Sequence, residues 1–201
     1  KKKKMSVTFN EPLSTTSLGN LRNIPGVMDA QSIRTVSAVL RYGRNRHLGA
    51  ISGLPPNPRL YRAVDRSMGT IHLPTGGIIL AEPLARILNA RVGDVLTIAV
   101  RESRRPTLEV PVAGIAQTLL GAPAYMDLDS LNRALGEPNR MSGAYWRIDS
   151  AQQSTVYRTL KDMPTVAGVS LKRDARNALQ EQMDMGAGAM RYIMLAVAGI
   201  T

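Results

Sequence analysis

The chain has 201 residues, 44% hydrophobic and 20% charged, enough for one large or two small domains. Aromatics are only 4%, so the core rests on aliphatic side chains, and the lack of cysteine excludes a disulfide framework and thiolate metal sites. The net charge of +11 is uneven: Lys1–Lys4 supply four of it, leaving 11 − 4 = +7.

Of 26 basic residues only six are lysine, and beyond the KKKK run these are Lys161 and Lys172. The run is foreign in style to an arginine-rich body, and residues 1–4 are read as an added leader, with a basic membrane flank as the alternative. The arginines are scattered, with no basic helix stripe and no alternation of basic and aromatic residues, which argues against nucleic acid as a partner.

Val7–Phe9 reads as a short strand. Pro12 and Ser14-Thr15-Thr16 bring turn and cap chemistry, and Leu18, Leu21 and Ile24 line one face of a short helix. Pro25 and Gly26 stop it, and Val27 to Leu40 is extended. The same order recurs later. Ala144–Ile148 is a strand, and Asp149 and Ser150 cap a helix with Val156, Leu160 and Met163 on its apolar face. Pro164 stops that helix, and Val166, Val169 and Leu171 make a strand. Leu21-Arg-Asn-Ile24-Pro25-Gly-Val27 aligns with Leu160-Lys-Asp-Met163-Pro164-Thr-Val166. Two βαβ units in one chain are what a split, ferredoxin-like α+β domain requires.

Between the units, Val36–Leu40 and His47–Ile51 flank a hairpin tip at Gly43 and Asn45. Leu54-Pro55-Pro56-Asn57-Pro58 is too proline-rich for a regular element and marks a subdomain boundary. After it come a buried-type strand, Gly77–Leu80, and a helix begun by Pro83 that carries Leu84, Ile87 and Leu88. Val92-Gly93-Asp94 is a turn, and strands span 95–100 and 108–115. A helix capped by Asp127 or Asp129 bears Leu128, Leu131 and Leu135. The expected division is 5–53 with 143–173 as the split unit, 54–142 as an inserted, mostly β unit, and 174–201 as a stem helix.

That last helix, capped by Asp174, carries Leu179, Met183, Gly186, Met190, Ile193 and Val197 at spacings of 4, 3, 4, 3 and 4. It runs from a polar half into RYIMLAVAGIT, whose apolar stretch is too short to span a bilayer. Its span is roughly 40 Å, and Gly186 and Gly188 are places for it to bend.

Gly77-Ile-Ile-Leu-Ala-Glu-Pro-Leu-Ala-Arg-Ile-Leu88 followed by Val92-Gly93-Asp94 and a strand resembles the extracytoplasmic core domain of FtsX-like ABC transporter permeases, of MacB and LolC/LolE type. Ile24-Pro-Gly-Val27 is similar to the stop in that family's first βαβ unit, and the resemblance covers nearly the whole chain. It implies a porter-type split ferredoxin-like part with an inserted sabre-type part, on the extracytoplasmic side of a bacterial cytoplasmic membrane. It also implies that RYIMLAVAGIT begins the second membrane helix, with the stem residues Leu179, Met183, Gly186 and Met190 coupling domain to membrane. The implied partners are a separate cytoplasmic ATPase that binds the ATP, a second permease, and a periplasmic adaptor, lipoprotein or wall hydrolase. The implied function is export or extraction of a lipidated or amphipathic substrate. An FtsX-type regulator of a wall hydrolase is the alternative within the family, and a soluble binding module the alternative outside it.

No catalytic, metal or cofactor site is expected. His47 and His72 lack ligand spacing, no phosphate-binding G-x-x-x-x-G-K-[ST] occurs, and Gly186-Ala-Gly188 follows no strand. Asp127 and Asp129 are better read as helix caps than as a carboxylate pair. Two partner-binding candidates remain besides the stem. One is the hairpin arginines Arg41, Arg44 and Arg46, suited to an acidic partner or anionic headgroups or else simply solvated. The other is the apolar stretch bearing Leu119, Leu120, Tyr125 and Met126, an interaction patch if exposed and core if buried.

Overall fold

The computed structural model describes residues 2–56, 58, 60, 71–117 and 122–172. One strand organises most of it. Val27–Tyr42 (β2) is 16 residues long, and its two halves belong to different assemblies. Residues from Val27 to Ile33 pair with Arg140–Asp149 (β8), while Arg34–Tyr42 pair with Asn45–Leu54 (β3).

The first assembly adds Lys2–Ser14 (β1) and Val166–Lys172 (β9), in the order β9-β1-β8-β2. β1 and β2 both run antiparallel to β8. Helices Ser17–Arg22 (α1) and Gln153–Lys161 (α4) supply Leu18, Leu21, Val156 and Leu160 to one face, where Met5, Val7, Ala144, Trp146 and Ile148 point inward. The alternation is that of a sheet with one covered face: Met5 and Val7 are buried while Lys4 and Thr8 are exposed. The two helix stops also match in detail. Val27 N–H donates to the Ile24 carbonyl at 3.0 Å, and Val166 N–H to the Met163 carbonyl at 3.1 Å.

Pairing extends β1 well beyond the expected Val7–Phe9. Lys2, Lys3 and Lys4 lie opposite Asp149, Ile148 and Arg147, so these residues form part of the strand. Register shifts between Thr8 and Leu13, beside Gly143. A Cβ on Gly143 would lie 2.5 Å from the Val7 carbonyl oxygen, a backbone atom that cannot swing away. Gly143→Ala is therefore expected to destabilise the domain by about 1–3 kcal/mol, read as a lower urea midpoint at constant slope.

The second assembly is a closed ring. β2 pairs with β3, β3 with Ala124–Asp127 (β7), β7 with Ile78–Ala81 (β4), β4 with Thr107–Ala116 (β6), β6 with Val95–Val100 (β5), and β5 again with β2. The β3–β7 and β4–β6 pairs are parallel and the other pairs antiparallel. Six strands make a barrel narrow enough for side chains to fill. Val36, Leu40, Ile78, Leu80, Leu96 and Ile98 do so, with Leu84 and Leu88 of helix Glu82–Leu88 (α2) and Leu131 of helix Leu128–Ala134 (α3) in the same core. β4 and β7 are buried at every position, which explains their unbroken apolar reading.

The hairpin 36–51, expected with the split unit, thus has both strands in the barrel wall. The chain passes between assemblies inside β2, at Ile33 and Arg34. A βαβ pattern does not show this, because the chain stays extended through the crossing as one strand from Val27 to Tyr42.

Candidate partner-binding surface

The hairpin tip is built by short-range chemistry. Gly43 has φ 57°, the positive value a tight two-residue hairpin demands of its first central residue. Tyr42 and Asn45 close the turn as a cross-strand pair. Asn45 Nδ2 donates to the Leu88 carbonyl at 3.0 Å, tying the tip to the end of α2. Tyr42 donates its hydroxyl to Asp94, and this bond, reinforced by desolvation and the Asp94 charge against the opposing Arg91, raises the phenol above its ordinary value of 10.0.

With Leu40, Leu96 and Ile98 pointing into the barrel, alternation turns their strand neighbours outward. Arg41 and Arg46 are both exposed and lie directly opposite each other, and Arg44 is exposed in the turn. None of the three side chains forms a hydrogen bond or ion pair with a described residue. Like charges directly across a strand pair are destabilising, so two arginines at this position oppose folding slightly.

The second expected surface divides. Tyr125 and Met126 lie in β7 and are buried, Tyr125 among Ile33, Leu54 and Ile79 and Met126 in the barrel core. They are core residues and line no exposed patch. Parallel pairing with β3 on one side and antiparallel pairing with β4 on the other covers both edges of β7. Leu119 and Leu120 lie outside the described residues, as do the stem residues Leu179, Met183, Gly186 and Met190.

The remaining sequence candidates behave as structural groups. Asp127 caps α3, accepting from Ser130 N at 2.9 Å and from Ser130 Oγ at 2.8 Å. His47 is half-buried and His72 exposed, and among the described residues no cluster of His, Asp or Glu could hold a metal ion.

One charged group escaped the sequence reading. Arg34 sits where β2 passes from sheet to barrel, and its side chain is wholly buried. Its Nη2 donates to Glu137 Oε2 at 2.6 Å, while Nε and Nη1 find no partner among the described residues. Glu137 is put there by the end of α3, where Gly136 turns the chain with φ 68° and Glu137 N–H donates to the Asn132 carbonyl. Burial by itself pushes the Glu137 carboxyl up. A hydrogen bond from Ser103, the bond and charge of Arg34 and the charge of Arg140 outweigh burial and hold the carboxyl below its ordinary 4.5. The arginine is visible in the sequence, but its partner is 103 positions away and no local pattern links them.

No protein-family model and no curated protein matches the sequence. Solved structures match in fold, and the architecture is that of extracytoplasmic domains of ABC-type transporters. The extracellular domain of the noncanonic ABC-type transporter YknZ from Gram-positive bacteria superposes with a TM-score of 0.56 at 14% identity, over 86% of this chain and 100% of that one. The periplasmic region of MacB from Actinobacillus actinomycetemcomitans gives 0.52 at 11% identity, over 90% of this chain and 92% of that one.

Proposed function

We propose that this chain is the extracytoplasmic domain of an ABC transporter permease subunit, acting in export or extraction of a lipidated or amphipathic substrate. The observation that carries the reading is the fold likeness to two transporter domains over almost the full length of each. In this reading the sheet β9-β1-β8-β2 with α1 and α4 is the split ferredoxin-like, porter-type part. The antiparallel pairing of β1 and β2 with β8 and the two matching helix stops support that assignment. The barrel is the inserted, sabre-type part, entered and left through β2 and β8.

Nucleotide binding and hydrolysis occur in a separate cytoplasmic ATPase, two permeases act together, and residues 174–201 carry motion between membrane and domain. Coupling needs two states of the domain, each favoured by one nucleotide state. With β2 shared between sheet and barrel, a displacement of the sheet is transmitted to the barrel through a continuous strand.

These 201 residues carry no cysteine, so one introduced into them reports on location when the unaltered full-length protein serves as the labelling control. A single cysteine placed at exposed Arg104 in the full-length protein is expected to react with a membrane-impermeant maleimide in cells whose cytoplasmic membrane is intact. Labelling only after that membrane is broken sinks the proposal.

A further inference from the structure

We infer that the outer barrel wall around Arg41 and Arg46 docks an acidic protein partner. The register places four side chains in one row across neighbouring strands: Arg46 on β3, Arg41 on β2, Thr97 on β5 and Glu109 on β6. The next row, on the same face, is Leu48, Val39, Ala99 and Thr107. On the other side, Val95 precedes Thr97 by two residues and so shares its face. Leu48 is 61% and Val95 49% exposed, so both offer apolar surface on this wall. The arginine pair is therefore framed by exposed apolar groups on both sides, the pattern of an anchor within a small contact surface.

Charge and side-chain chemistry select the occupant. The pair is held against its own repulsion with no ion pair to an acid among the described residues, and an arriving carboxylate supplies the missing charge. Guanidinium forks match carboxylates in bidentate geometry. Glu109, hydrogen-bonded by Thr97 Oγ1 at 3.0 Å, closes the row with a negative charge. An anionic bilayer laid on this wall would bring headgroups against Glu109. A protein segment can place a carboxylate over the arginines and a neutral or basic residue over Glu109. The tip residues Gly43, Arg44 and Asn45 also lack the aromatic or bulky apolar side chain that inserts into a membrane.

The surface is read from strand pairing. Only the compartment in which its partner resides rests on the transporter reading, so binding and cell-labelling experiments fail independently. The test titrates the 201-residue chain with a fluorescent peptide of alternating glutamate and leucine, with its lysine–leucine counterpart, and with vesicles of equal parts phosphatidylglycerol and phosphatidylethanolamine. The acidic peptide is expected to bind and the basic one not. Arg41→Gln or Arg46→Gln should weaken binding about tenfold and Leu48→Ser about threefold, while Arg104→Gln, exposed in the loop between β5 and β6 and outside these two rows, leaves it unchanged. Arg46→Glu should raise the thermal midpoint, by pairing with Arg41, while abolishing peptide binding. Equal loss with Arg104→Gln, vesicle binding without peptide binding, binding of neither probe, or a lowered midpoint for Arg46→Glu each overturns the inference.

Discussion

Glu137→Ala is expected to destabilise the domain by about 3 kcal/mol, because it strands a fully buried guanidinium. Removing one member of a buried ion pair costs about 3–5 kcal/mol, and the lower end applies because the Glu137 side chain is 25% exposed and water can partly replace it. Nε and Nη1 of Arg34 already lack described partners, so the guanidinium has little other support. Arg34→Met should behave differently. It keeps the length of the side chain and removes the charge, and buried pairs replaced by apolar groups are often neutral or more stable. Adding Glu137→Ala to Arg34→Met should then cost under about 1 kcal/mol, and the double-mutant cycle yields the coupling. Urea unfolding of the three variants measures all of this, and a Glu137→Ala loss below about 1 kcal/mol is incompatible with the account.

The same pair sets a pH dependence. Glu137 is held below its ordinary 4.5 in the folded state, so at low pH the unfolded chain binds the proton more readily. The stabilisation is fully present above that ordinary value and is lost as pH falls through the depressed folded one. Glu137→Gln should flatten this part of the stability profile, and an unchanged acid limb would falsify the assignment.

Trp146→Ala is the second large effect, expected at about 3–5 kcal/mol. Trp146 is the single tryptophan, is fully buried, and lies in β8 between Met5 of β1 and Ala30 of β2. Truncation empties the centre of a sheet whose covered face is closed, among the described residues, by α1 and α4, both short. Its indole N–H has no partner among the described residues, which already costs the native state some free energy. Trp146→Phe removes that orphan donor while leaving a smaller cavity, so it should cost less than half as much as alanine. Far-UV circular dichroism during urea unfolding compares the two, since both lose the fluorophore. Equal losses would mean that the pocket around the ring collapses freely.

Local elements were legible because their causes are local. The stops at Ile24-Pro25-Gly26 and Met163-Pro164-Thr165, the Asp127 cap and the Gly93 turn each depend on side chains within a few residues. So does the hairpin tip at Gly43, and so Arg41, Arg44 and Arg46 were found together. The apolar run ending in Tyr125 and Met126 was ambiguous for a physical reason: a strand buried on both faces and an exposed apolar loop read alike in sequence. Neighbours β3 and β4, distant in the chain, made it core.

Sequence by itself thus determined the order of the described strands and helices apart from β7, the repeated βαβ unit, the absence of cysteine chemistry in these 201 residues and the cationic hairpin. Tertiary structure decided the rest. Closure of β2, β3, β7, β4, β6 and β5 into a ring depends on pairings between segments tens of residues apart. The crossing of β2 at Arg34 and its neutralisation by Glu137 depend on where α3 ends in space. The framing of Arg41 and Arg46 by Leu48 and Val95 depends on register across three strands. Backbone conformation and capping are set by near neighbours, whereas register, closure and charge pairing are set by which distant surfaces exclude water together.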